Sequence, residues 1–394
     1  MYLCSILLIY LIYYTYRYFK HELTFILGQV VLIVILVCIQ SYLLYINFNI
    51  ITVGSDASWY YGNAKAIYEN WSLYGINKEI FNFLNISNKY VFYTLFDLSG
   101  FMPYFSDRVS CIMSEISYGI VVLIYILRVK RYIVKAKIRE KKSALYALLV
   151  SFYWCLTLNF RDAMISMSIS LIILAYVLEK NLRKKIIKIF FAGLWLSSLR
   201  PNMIYVLILT LIIFKIWCLL KKLKWKNGIT IIITFIATSI YINFSGSGAV
   251  INAIKPSIIG LLVSNPIKYY IYYFQNGISS SAWHYTFLTV VLNSLVALGL
   301  VFIVYTHMIS GFFYERNDES KKIWIIGIII LITTYLMYSI KLGGVQERIK
   351  LMSSTILLLS YIFAKPTKRY IKVYRLVSIL LIFYTGCYIL KIII

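Results

Sequence analysis

Asp56 stands in the run Thr52-Val53-Gly54-Ser55-Asp56-Ala57-Ser58-Trp59-Tyr60-Tyr61, after a long apolar stretch and before an amphipathic one from Trp59 to Trp71. A carboxylate there has the chemistry to take a proton from a sugar hydroxyl, or to hold a metal beside a phosphate. Trp59, Tyr60 and Tyr61 offer flat faces on which sugar rings stack. Ser55-Asp56 equally fits a helix N-cap, whose side-chain oxygen accepts backbone N–H bonds, and the two roles are compatible. Three arginines border apolar runs: Arg161 beside Asp162, Arg200 before Pro201, and Arg348 in Gly343-Gly344-Val345-Gln346-Glu347-Arg348-Ile349-Lys350. A guanidinium is a planar fork suited to diphosphate oxygens. The competing readings are snorkelling to lipid phosphates and pairing with Asp162 and Glu347. Asp162 also suits the cap of the helix it precedes. His284, in Trp283-His284-Tyr285, is a second candidate proton acceptor near neutral pH, or an ordinary interfacial histidine.

The elements that must position these residues are apolar helices. Spans of about 20 apolar residues cross a bilayer. Helices are expected near 2–16, 24–50, 112–127, 144–158, 163–178, 187–199, 203–220, 229–244, 285–306, 323–340, 351–364 and 376–393. Some are short, so the expected fold is an all-α, polytopic transmembrane bundle of about 10–12 helices in a single domain, 1–394. Of the 40 basic residues, 28 fall in the clusters Arg17–Lys20, Arg128–Lys142, Lys180–Lys188, Lys215–Lys226, Arg316–Lys322 and Lys365–Arg375. Positive charge is retained on the cytoplasmic side of short loops. The stretches between clusters then face outward, and every residue singled out above lies in them. Two outward loops are long, 51–111 and 245–284. Asp97, Asp107 and Arg108 lie in the first, at uninformative spacing.

Charged residues make up 14% of the chain and hydrophobic ones 61%, far from a soluble domain. The net charge of +26 is explained by the inside-positive bias, and nucleic acid is not an expected partner. The six cysteines, far apart, read as small buried apolar residues, and three histidines make no metal site. No cleavable signal is expected, since Arg17 follows rather than precedes the first apolar stretch.

These residues resemble a family. Gly54-Ser55-Asp56 with Tyr60-Tyr61, Arg161-Asp162 opening a helix, Ala192-Gly193-Leu194 through Leu199-Arg200-Pro201, and Glu347-Arg348 before an apolar helix are together similar to bacterial oligosaccharide repeat-unit polymerases. That family includes O-antigen and exopolysaccharide polymerases, within the wider membrane glycosyltransferases that use polyprenyl-linked sugars. The resemblance spans roughly residues 50–365, mostly as topology. It implies an inner-membrane glycosyltransferase of surface polysaccharide or lipopolysaccharide synthesis, acting on the periplasmic or extracellular side. Its partners would be undecaprenyl-diphosphate-linked oligosaccharides, the bilayer and a chain-length regulator. Arg161, Arg200 and Arg348 would bind the diphosphate, Asp56 or His284 would take the acceptor proton, and Trp59, Tyr60 and Tyr61 would bind sugar. Many polyprenyl-phosphate glycosyltransferases carry paired acids in the first loop, whereas Asp56 is followed by Ala57. No metal or other cofactor is therefore expected. Two alternatives stay open: a transferase of single sugars from polyprenyl monophosphate, and a lipid-linked oligosaccharide flippase. The last should carry charges inside its helices.

Overall fold

The computed structural model describes residues 2–49, 106–138, 140–157, 162–200, 202–220, 225–244, 287–313, 319–342, 347–364 and 367–393, with Gly62, Ala64, Lys65, Ala66 and Glu69. Among the described residues there is helix and no strand. In hydrocarbon no water satisfies backbone groups, so an apolar run meets its hydrogen bonds within itself, as helix. In chain order the helices are α1 (Tyr2–Tyr18), α2 (Leu23–Phe48), α3 (Asp107–Lys135), α4 (Lys142–Thr157), α5 (Asp162–Leu178), α6 (Leu182–Leu199), α7 (Asn202–Leu219) and α8 (Lys226–Phe244). Then come α9 (Phe287–Leu298), α10 (Thr306–Ser310), α11 (Glu319–Leu342), α12 (Glu347–Phe363) and α13 (Lys368–Ile393). A π-helical segment, Gly299–Tyr305, joins α9 to α10, so these form one broken rod.

Four stretches, Lys20–Ile46, Asp107–Lys135, Asn202–Leu219 and Glu319–Tyr338, are long and apolar enough to cross a membrane. Shorter apolar helices accompany them, including Asp162–Leu178 and Lys350–Phe363. Packing points the same way. Large apolar side chains face outward, with Val31 58%, Phe191 66% and Phe383 71% exposed. Hydroxyls face inward: Ser166, Ser168, Ser170, Thr333, Thr334, Ser353 and Ser360 are buried. A soluble protein buries hydrocarbon and does not leave it exposed over so many helices. Many of the buried hydroxyls return their hydrogen to their own helix, as in Ser166 Oγ to Asp162 O and Ser168 Oγ to Met164 O, each at 2.8 Å. Small self-satisfied side chains let helices approach where lipid supplies no hydrophobic driving force. The apolar helices and this inverted distribution point to a membrane protein.

α11 lies at the centre, packed against α12, α8, α7 and α5, while α12 also meets α5 and α4. α3 carries α1 and α2 on its flank. Gly119 of α3 is required there: a Cβ would sit 2.5 Å from Ile33 Cγ2 of α2. α2 stops at Asn49, which takes the left-handed conformation (φ 52°) and returns its N–H to Tyr45 O.

Cross-helix contacts sort into two ends. At one end Lys130 of α3 pairs with Glu22 and, at 3.2 Å, with Glu140. Lys188 of α6 binds Glu179 and the Tyr132 hydroxyl, Lys141 donates to Tyr361 O and Ala364 O, and His307 binds Tyr370. These contacts tie together the connections α1–α2, α3–α4, α5–α6, α10–α11 and α12–α13, each of which carries a basic cluster. Gln40 with Thr289, Thr238 with Thr333, and Arg200 with Asp162 lie toward the opposite end.

Several helices outrun their apolar runs. The first outward loop was expected to extend to residue 111, but α3 begins at Asp107. Ser106 caps it, its Oγ accepting from Val109 N at 3.3 Å. α6 begins at Leu182 rather than 187, with Asn181 Oδ1 accepting from Lys184 N. Of the cysteines, Cys111 and Cys155 are buried as expected, whereas Cys38 and Cys387 are exposed on apolar helices.

Candidate functional site

Arg200 ends α6 at the end of the bundle away from the basic connections. Its N–H still closes the last helical bond, to Leu196 O at 2.8 Å, while its own backbone leaves the helix (φ −161°, ψ 87°). The hydroxyls of Ser197 and Ser198 donate to Leu194 O and Trp195 O, steadying that last turn. The side chain reaches the first turn of α5, where Nη1 lies 3.4 Å from Asp162 Oδ1. Its guanidinium carbon stands 5.0 Å from the ring centroid of Tyr338, near the end of α11. Three helices therefore fix one cation. Asp162 is 5% exposed and Arg200 26%, so the carboxylate is enclosed and the guanidinium opens outward.

Of the readings open for Arg200, the structure shows the pairing with Asp162. Asp162 is its counter-ion, in addition to starting α5. The contact engages Nη1, and a guanidinium has two further nitrogens with N–H groups in the same plane. Asp162 and the Tyr338 ring hold the guanidinium from two sides, and a guanidinium so held can offer its remaining N–H groups to an anion.

Arg348 is the second residue of α12, which packs on α5 and α11. Its backbone therefore starts a helix at the end where Arg200 stands; its side chain lies outside the described residues, as does that of Glu347. Asp56, Trp59, Tyr60, Tyr61, Arg161 and His284 also lie outside the described residues. Of the long first loop, Lys65 bonds Asp107 Oδ2 at 2.7 Å, and Arg108 stacks 3.7 Å from the ring centroid of Tyr45. Asp107 and Arg108 thus serve the start of α3. Among the described residues no three or more His, Cys, Asp or Glu side chains gather as metal ligands.

Sequence reasoning missed a polar cluster at the basic end. His307 is fully buried, with Nδ1 2.9 Å from Tyr370 Oη and Nε2 3.1 Å from Ser360 Oγ. Ser360 gives its hydrogen to Ser320 O at 2.8 Å, so its oxygen accepts from His307 Nε2–H. Nδ1 shares a hydrogen bond with the Tyr370 hydroxyl, so both ring nitrogens are engaged. Nearby, buried Lys321 donates to Gly311 O at 2.6 Å and lies 4.3 Å from the Trp324 ring centroid. The cluster bolts α10, α11, α12 and α13 together. No spacing in the chain joins residues 307, 320, 360 and 370.

Electrostatics at the two ends differ. At the basic end the Lys188 ammonium, hydrogen-bonded to Glu179, holds that carboxyl below the ordinary glutamate range. At the other end Arg200 and Asp162 make one ion pair beside an aromatic ring. A guanidinium with N–H groups left over from such a pair has the chemistry to contact an anion. Compared with protein-family models, curated proteins and solved structures, the chain matches none.

Proposed function

We propose that the chain is a polytopic enzyme of a bacterial inner membrane that polymerises undecaprenyl-diphosphate-linked oligosaccharide units into O-antigen or a similar surface polysaccharide. The twelve apolar stretches of the sequence would span the bilayer, with the basic connections in the cytoplasm and Arg200 on the outer face. The growing chain is transferred from its lipid diphosphate to a hydroxyl of the incoming unit. The bond from the sugar's anomeric carbon to the diphosphate oxygen breaks as the acceptor oxygen bonds that carbon. Asp56, or His284, takes the acceptor proton. Arg200 and Arg348, with Arg161, neutralise the departing diphosphate, which is electrostatic stabilisation of the transition state.

The observation that carries this reading is Arg200, a cation kept at the cation-poor end and oriented by Asp162 and Tyr338. A membrane anchor that snorkels needs neither a buried acid nor an aromatic support. One observation favours the flippase instead. Glu115 is 6% exposed and sits about 12 Å into α3 from Asp107, so α3 holds an acid within its span. Gene deletion with electrophoresis of the surface polysaccharide separates the two. A polymerase deletion leaves single attached units without a ladder. Loss of all attached units, with lipid-linked units trapped inside the cell, sinks the proposal in favour of the flippase.

A further inference from the structure

A groove of about 570 Å³ runs between α3, α5 and α6, opening at the basic end. Its volume is that of an ordinary ligand site. Its mouth carries Arg128, Arg131, Lys135, Lys184 and Lys188 against one carboxylate, Glu179. Glu179 is taken by Lys188, and among the described residues the other four cations have no carboxylate within 4.0 Å. Three of the five are braced by tyrosines. Arg128 donates to Tyr10 Oη at 2.6 Å, Arg131 lies 4.1 Å from the Tyr18 ring centroid, and Lys188 donates to Tyr132 Oη at 2.9 Å.

Behind the mouth the lining turns apolar, with Met167 and Leu171 of α5 facing Phe191 and Trp195 of α6. From Lys188 to Trp195 is seven residues of helix, about 10 Å along the axis. The groove is open along the side where α6 exposes apolar residues, Ile187 at 54% among them. A soluble anion would neutralise the mouth and leave this hydrocarbon wall uncovered. A protein partner would have to lie within the apolar belt. A molecule with a phosphate at one end and hydrocarbon at the other satisfies both halves.

We propose that this groove binds a membrane phospholipid with an anionic headgroup, its phosphate among the five cations and a chain along Phe191 and Trp195. Basic pockets between helices recognise anionic headgroups in this way. The proposal needs the membrane setting but not the polymerase reading, which concerns the opposite end.

The test uses the full chain in detergent, titrated with phosphatidylglycerol and followed by native mass spectrometry. Lys135 and Lys184 are exposed and outside the tyrosine braces, so K135Q/K184Q should fold. Each cation near a headgroup is worth about a factor of five in affinity, so the pair should cost roughly twentyfold or more. The control K368Q/K372Q removes the same charge from exposed positions elsewhere at the basic end and should bind as the native chain does. Phosphatidylcholine should bind weakly, and glycerol phosphate in excess should not compete. A phosphatidylglycerol brominated on its chains should quench native fluorescence more than that of W195F. The proposal is overturned if the control loses as much affinity, if phosphatidylcholine binds equally, if glycerol phosphate displaces the lipid, or if W195F is quenched as fully.

Discussion

Substituting Arg200 separates a charge that stabilises a transition state from one that balances Asp162. Asp162 is 5% exposed and its described partner is Arg200 Nη1 at 3.4 Å. Arg200→Ala strands an enclosed carboxylate, and breaking a buried pair from one side costs about 3–5 kcal/mol. Arg200 is 26% exposed, so water reaches the pair and about 2 kcal/mol is the fitting expectation. Asp162→Asn added to Arg200→Ala removes the stranded charge and should return most of that stability. Polymer should not return with it, because the diphosphate contact is still absent. Arg200→Lys keeps the charge beside Asp162, so protein level should hold within about 1 kcal/mol of native. An ammonium cannot reproduce the planar fork, and losing such a contact costs about 2–4 kcal/mol in the transition state, roughly a hundredfold or more in rate. The assay is thermal unfolding in detergent beside the polysaccharide ladder. Wild-type ladders from both Arg200→Lys and the double variant would make Arg200 a structural counter-ion and refute the reasoning.

Gly311→Ala would place a Cβ 2.1 Å from Nε1 of Trp324, which is fully buried and bonded to Met308 O, and overpacking of this kind should cost about 1–3 kcal/mol; Gly28→Ala, with nothing within 4 Å, is the neutral control in the same unfolding assay. Glu179 has its folded pKa lowered by Lys188, so its contribution is full above the ordinary value of 4.5 and fades as pH falls through the folded value; Glu179→Gln should be less stable than native near neutrality and match it in acid, and a gap that persists in acid would contradict the ion pair's role. With the exposed Cys38 and Cys387 replaced, Lys135→Cys and Lys224→Cys should resist an impermeant thiol reagent in intact cells, while Lys78→Cys and Ser257→Cys should react; the reverse pattern would place the Arg200 end in the cytoplasm.

The helices were legible because apolar runs in lipid have one way to satisfy their backbones. Their ends were not, since hydropathy marks where hydrocarbon stops and helical bonding continues into the interface. α3 runs on through Arg128 and Arg131, whose side chains turn back onto Tyr10, Tyr14 and Tyr18. α13 starts at Lys368, eight residues before its apolar run. Pairing with Asp162 was one reading open for the arginines, but 38 residues separate Asp162 from Arg200 and nothing local selects Arg200 as its partner. His307 looked like one histidine in an apolar stretch. Its role needs Ser360 and Tyr370 from two other helices. The apolar run places the helix near 112; with its start at Asp107, Glu115 lies two turns inside.

The most direct test of the central claim is reconstitution. The purified chain in vesicles is given undecaprenyl-diphosphate-linked repeat units, and the lipid-linked products are sized. The account predicts chains of increasing length, with one undecaprenyl diphosphate released for each new linkage and none made by Arg200→Lys at the native rate. Units that cross the bilayer without lengthening would contradict it.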